Sequence, residues 1–92
     1  MDCLKLLKKI PAGKVISYSE LAKVCKTSPR AIGRILNKNR DPDEYPCYKV
    51  IRKNGEIGGY KWGLKEKIKR LKKDGIKIKN GKVPESYFWK FK

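Results

Sequence analysis

SYSELAKVCKTSPRAIGRILN, residues 17–37, is the stretch that decides the fold. Ser17-Tyr18-Ser19-Glu20 has the Ser-x-x-Glu form of a capping box, in which serine and glutamate side chains satisfy backbone N–H groups left over at a helix start. The spacing predicts a helix from there to about Cys25, with Leu21 and Val24 turned to the core. Thr27-Ser28-Pro29 is a second start signal, with Ser28 as cap and Pro29 at the first helical position, where its missing N–H does no harm. That helix should reach about Asn37, carrying Arg30 and Arg34 with Lys38 just beyond. Two short helices a few residues apart form a helix-turn-helix pattern. Alone it decides little about function, because many core helix pairs share it.

Upstream, Asp2 can cap a short helix from Cys3 to Lys9 that turns Leu4, Leu7 and Ile10 inward, and Pro11-Ala12-Gly13 then breaks it. Lys14 to Ile16 reads as extended. Downstream, the polar loop from Asn39 to Tyr45 delivers the chain to Pro46-Cys47. Lys49-Val50-Ile51 is a short strand, Asn54-Gly55 a tight turn, and Gly58-Gly59 a segment where backbone passes close to something. Gly63 to Lys73 is a helix with Leu64, Ile68 and Leu71 as its core stripe and lysines outside, ended by Gly75. Ile76-Lys77-Ile78 alternates as a strand, Asn80-Gly81 turns it, and Lys82-Val83 returns as a small hairpin. The aromatic tail, Tyr87 to Phe91, is expected to pack on the core, with base stacking as the sharper alternative. The fold class expected is mainly α with short strands.

The 92 residues have room for one domain, 1–92, and 39% hydrophobic content supplies a single modest core. Lys and Arg number 25 against 9 acidic residues, a net charge of +16. So much positive charge on a small body repels itself, and a polyanion would relieve it; a merely solvated lysine surface is the bland alternative. A membrane surface fits less well, because no helix carries a basic stripe with Trp or Phe on its apolar side. With no run of roughly 18 apolar residues and no signal-peptide block, the chain is expected to be soluble and cytoplasmic, with access to nucleic acid. Cys3, Cys25 and Cys47 are spaced 22 residues apart and histidine is absent, which matches no metal site, so no metal or cofactor is expected. The odd thiol count argues against a disulfide framework and for a reducing compartment, with Cys3 and Cys25 as small apolar fillers.

Taken together, Ile10-Pro11-Ala12-Gly13-Lys14-Val15-Ile16-Ser17-Tyr18, Thr27-Ser28-Pro29-Arg30-Ala31-Ile32-Gly33, Asn39, Pro46-Cys47 and Gly58-Gly59-Tyr60 resemble the C-terminal domain of the O6-alkylguanine-DNA alkyltransferases. The likeness runs over about residues 10 to 75 in unbroken order. In size the chain is similar to the alkyltransferase-like proteins, which bind and flip alkylated guanine without repairing it. The resemblance implies a winged-helix-like helix-turn-helix DNA-binding domain. Its implied partners are double-stranded DNA containing alkylated guanine and other repair proteins, and a monomer is expected.

Residue by residue, the resemblance makes Arg30 the finger that enters the minor groove and fills the gap left by an extruded guanine. Tyr18 crowds the target phosphate, Ala31 and Gly33 are small where the helix meets the DNA backbone, and Arg34 reaches phosphate. The flipped base needs a pocket. Pro46, Gly58, Gly59, Tyr60, Lys61 and Trp62 are expected to form it, with Tyr60 offering its hydroxyl to the purine edge and Trp62 as an aromatic wall. Asn39 braces the turn of Cys47, the nucleophile that would take the alkyl group permanently. Tyr48 stands where the family has the histidine of a proton relay, and Asp74 where it has a glutamate. A phenol of pKa about 10 is a poor base at neutral pH, and a general base is worth roughly 10²–10⁴ in rate. Slow transfer through an unassisted thiol is the expectation. A non-enzymatic lesion sensor stays open beside it, as does a base-flipping glycosylase-type hydrolase that uses Asp41, Asp43 or Asp74 to activate water, and plain nucleic-acid binding.

Overall fold

Residues 3–91 are described by the computed structural model. The cap expected at Asp2 lies outside them. Helix α1 runs Cys3–Leu7 and tightens into turns that reach Ile10, whose N–H donates to the Leu7 carbonyl at 3.2 Å. Leu7 and Ile10 are buried, while Leu4 is only half-buried. Strand β1 is Ile16–Ser17, and α2, Tyr18–Cys25, follows it directly. The serine half of the capping box forms: Ser17 Oγ accepts from the Glu20 N–H at 3.0 Å, while among the described residues the Glu20 carboxylate makes no return bond. Lys26 ends the helix in the left-handed conformation, φ 56°, and its N–H donates to the carbonyls of Ala22 and Lys23. Helix α3, Pro29–Asn37, starts at Ser28, whose Oγ accepts from Ala31 N–H at 3.1 Å.

Strand β2, Val50–Ile51, lies parallel to β1, with Ile16 opposite Val50 and Ser17 opposite Ile51. The end of the chain joins from the other side. Val15 N–H donates to the Tyr87 carbonyl at 2.9 Å, and Trp89 N–H donates to the Val15 carbonyl at 2.8 Å. Because neighbouring strand residues face opposite ways, this small sheet divides the apolar interior in two. Ile16 and Val50 join Leu7, Leu21, Ile32 and Leu36 on one side. Val15 and Ile51 join Ile57, Leu71, Ile76 and Val83 on the other. The aromatic tail packs on both, Trp89 and Phe91 against the first cluster and Tyr87 and Phe88 against the second.

Four expectations need correction. Helix α4 is Leu64–Lys73, but Leu64 is 53% exposed, while Lys67, expected on the outer face, is buried at 1%. The first turn of α4 overhangs the core, and the lysine reaches back into it. Residues 76–78 form no strand; the Asn80-Gly81 turn closes a hairpin of one pair, with Lys79 N–H donating to the Lys82 carbonyl at 2.8 Å and Lys82 N–H to the Lys79 carbonyl at 2.9 Å. Lys82 also bridges Glu56, and Val83 N–H donates to the Gly55 carbonyl at 2.8 Å. That contact fixes residue 55 as glycine: its φ is +93°, and an added Cβ would meet the Val83 oxygen at 2.8 Å. Finally, Cys3 and Cys25 are joined in a disulfide. Packing of α1 against the end of α2 brings their Cα atoms to 6.0 Å, within bridging range. The cysteine count therefore carries no inference about compartment. No helix among the described residues is long and apolar enough to cross a membrane.

Candidate functional site

The site is built around a turn that one buried asparagine holds. Cys47 opens a 3₁₀ turn, Cys47–Lys49, and its N–H donates to the Tyr45 carbonyl at 2.7 Å. Asn39 Nδ2 donates to the same carbonyl at 2.8 Å, and Asn39 Oδ1 accepts from Asp41 N–H at 3.1 Å. Asn39 is 2% exposed, so a buried amide with both ends satisfied ties the 39–45 loop to the cysteine turn. Cys47 itself is a free thiol, 4% exposed. Its Sγ donates to Tyr60 Oη at 3.8 Å.

Cys47, Tyr60, Lys67 and Tyr18 line a cavity of about 420 Å³, and Gly33 and Arg34 bring α3 to it. Leu36 and Asn37 extend the α3 wall, and Gly59 and Lys61 complete the lining. The structure thus gathers Gly59, Tyr60 and Lys61, expected at the pocket, around one space with Cys47, and brings to it Tyr18, Gly33 and Arg34, which were expected at the DNA backbone. Arg30 and Ala31 lie one turn earlier on α3, Arg30 exposed and Ala31 half-buried, outside the lining. Pro46 and Gly58 are also outside it. Trp62 is 39% exposed and packs its ring on Tyr60, with centroids 5.3 Å apart, rather than walling the cavity. A Cβ added at Gly33 would meet no protein atom within 4 Å. The protein's own packing gives no reason for glycine there.

Lys67 is the residue that sequence reasoning missed. Its Nζ donates to the carbonyls of Val50 at 2.9 Å, Ile57 at 2.6 Å and Gly59 at 3.2 Å, which uses all three N–H bonds of an ammonium. The charge also lies 5.9 Å from the ring centroids of both Tyr18 and Tyr60. Burial pushes its pKa down to about 8, against an opposing attraction to Cys47. Burial also raises the pKa of the Tyr18 and Tyr60 phenols, with Cys47 adding to the effect at Tyr60, so both hydroxyls keep their protons. One signal was available. Lys67 stands three residues after Leu64 and four before Leu71, the single α4 cation inside the expected apolar stripe.

Tyr48 and Asp74 are directed elsewhere. Both line a second cavity, of about 470 Å³, together with Asp43 and Arg70, and neither lines the Cys47 cavity. The Asp74 carboxylate pairs with Lys49 Nζ at 3.0 Å and accepts from Gly13 N–H at 3.0 Å. Lys49 Nζ also donates to the Pro11 carbonyl at 2.8 Å, so the pair latches the 10–13 loop to the cysteine turn. Among the described residues no hydrogen bond joins Tyr48 to Asp74. Burial first, then the Asp74 charge, raises the Tyr48 pKa, which makes its phenolate still less accessible. Asp43 is held by Arg70 at 2.9 Å, and Asp41 Oδ1 accepts from Glu44 N–H at 3.2 Å; neither faces the thiol cavity.

The profile of a family described as 6-O-methylguanine DNA methyltransferase, DNA binding domain, matches residues 1–76. The chain belongs to that family. Among relatives, a bifunctional methyltransferase/endonuclease of Picrophilus torridus is 46% identical over 80 residues, 85% of this chain. The chain spans only 27% of that relative's length. Among solved structures, the O6-methylguanine-DNA methyltransferase of Pyrococcus kodakaraensis is 39% identical with a TM-score of 0.76, over 80% of this chain and 44% of the other. The S. pombe Atl1 structure, a complex with damaged DNA containing O6-carboxymethylguanine, superposes with a TM-score of 0.85 over 97% of this chain and 92% of the other. At 23% identity it shows the fold alone. The fold is thus that of the alkyltransferase DNA-binding domain, and the residues beyond 76 extend past the matched profile.

Proposed function

We propose that this chain is a self-consumed DNA-repair alkyl acceptor: it binds the minor groove of duplex DNA, flips an O6-alkylated guanine and moves the alkyl group to Cys47. One observation carries the reading. The thiol that is not in the disulfide is the one that lines the cavity between the cysteine turn and α3, facing a tyrosine hydroxyl. Arg30, exposed near the α3 start, fills the gap in the base stack, and Tyr18 crowds the phosphate as the nucleotide rotates out. Gly33 leaves room for the sugar-phosphate backbone, and Arg34 meets phosphate. In the cavity the sulfur attacks the alkyl carbon, an S–C bond forms and the C–O6 bond breaks with its electron pair on oxygen. The departing guanine is then protonated, with the Tyr60 hydroxyl in reach of the reacting sulfur.

No relay through Tyr48 and Asp74 enters this scheme, because the second cavity and the Lys49 latch engage them. Without a general base, transfer is slower by roughly 10²–10⁴ than with one. The same observation favours a second reading, a lesion sensor that flips the base and recruits other repair factors. Intact-mass measurement after incubation with an O6-methylguanine duplex separates the two. A gain of one methyl group that Cys47→Ser abolishes supports the acceptor. Lesion-selective binding with no mass change overturns the acceptor and supports the sensor, and free base or abasic DNA overturns both in favour of hydrolysis.

A further inference from the structure

Cations but no carboxylates line the Cys47 cavity: Arg34, Lys61 and Lys67. They differ in what they can still offer. Lys67 has committed all three N–H bonds to carbonyls, and Arg34 lies on α3, the helix that meets the duplex in the reading above. Lys61 makes a single long hydrogen bond, Nζ to the Asn39 carbonyl at 3.3 Å, and keeps two N–H bonds uncommitted. It is also held in place. Asn39 is buried and doubly bonded, and the Trp62 ring lies 5.3 Å from the same ammonium. A flexible surface lysine ordinarily gives little because ordering it is costly, but here two contacts already order the charge.

The geometry points to Lys61 as a specificity-determining residue that selects O6-adducts ending in a carboxylate, of which carboxymethyl is the smallest. This inference rests on the flipped-base reading of the same cavity. A methyl adduct leaves the Lys61 ammonium unused, whereas a carboxylate two atoms from O6 supplies a charge-assisted acceptor. The transfer step keeps the same balance. Sulfur bonds to the CH₂ carbon, the C–O6 bond breaks toward oxygen, the thiol proton ends on guanine, and the carboxylate is carried over unchanged as S-carboxymethylcysteine.

Binding is the readout, so that the chemistry cannot obscure it. Dissociation constants are measured for the Cys47→Ser chain with O6-carboxymethylguanine, O6-methylguanine and undamaged duplexes of one sequence at fixed salt. The expected result is carboxymethyl tighter than methyl by about five-fold, the worth of one partly exposed ion pair. Adding Lys61→Gln should bring that ratio to one while all three duplexes weaken together through the lost charge. Methyl and carboxymethyl bound equally, but both above undamaged DNA, would overturn the selectivity and leave the flipping reading intact. So would a preference that survives Lys61→Gln. If neither lesion binds above undamaged DNA, the flipping reading falls and takes this inference with it.

Discussion

Replacing Asp74 by alanine strands a buried ammonium. The Lys49 and Asp74 side chains are 5% and 15% exposed and 3.0 Å apart, so solvent screens the pair little. Removing one partner of a buried ion pair costs about 3–5 kcal/mol, because the other charge is left without compensation. Lys49 keeps the Pro11 carbonyl as an acceptor, which places Asp74→Ala near the lower end, about 3 kcal/mol. For a domain of this size each kcal/mol lowers the melting temperature by about 4–8 °C, so the variant should melt roughly 12–24 °C below the wild type. Thermal and urea unfolding followed by circular dichroism measure this directly. Lys49→Met with Asp74→Leu, which replaces the pair by apolar side chains, should recover most of the loss. A single variant that melts within a few degrees of the wild type, or a double variant as unstable as the sum of the two singles, would refute the latch.

Stability should also depend on pH through Lys67. Its folded pKa is lowered from 10.5 to about 8, so between those values the unfolded chain holds a proton that the folded chain has released, and stability rises with pH. From pH 8 to 9.5 the wild type should gain about 1–2 kcal/mol more than Lys67→Met in urea midpoints, the difference cancelling the self-repulsion common to both. Asn39→Ala should cost about 1–3 kcal/mol, since it leaves Asp41 N–H unpaired and the Tyr45 carbonyl with Cys47 N–H alone, and amide exchange should quicken along 39–47. Gly33→Ala should raise stability by up to about 1 kcal/mol through helix propensity. The same change should weaken duplex binding by filling space that no protein atom occupies; unchanged affinity in a fluorescence-anisotropy titration would count against α3 as the docking helix.

What the sequence made legible was local. Ser17 with Glu20, and Ser28 with Pro29, place two helix starts within a few residues of chain, and both form as their chemistry dictates. The thiol, the tyrosine at 60 and the asparagine at 39 could be matched to one site because five motifs kept their order. What stayed hidden was set at a distance. Lys67 is buried because carbonyls at 50, 57 and 59 converge on one point, which no periodicity reports. Asp74 engages Lys49 and the 10–13 loop rather than its neighbour in the expected relay, and that choice depends on how α4 ends against the loop. Ile76-Lys77-Ile78 alternates correctly for a strand, yet pairing across the Asn80-Gly81 turn is made by Lys79 with Lys82, so pattern alone misplaces it. The resemblance puts both Lys61 and Trp62 at the pocket, whereas the structure keeps Lys61 there and packs a 39% exposed Trp62 on Tyr60.

The bridge between Cys3 and Cys25 leaves the oxidised molecule with a stoichiometric gauge. Of three cysteine sulfurs, two are locked in a bond that a thiol reagent does not count, and the third is the one at the cavity. Under unfolding, non-reducing conditions a chromogenic disulfide such as dithiobis-nitrobenzoate should therefore release one equivalent of dye per fresh chain and, if Cys47 accepts the alkyl group as proposed, none per alkylated chain. A cuvette would then be enough to follow how much of a preparation has been used up.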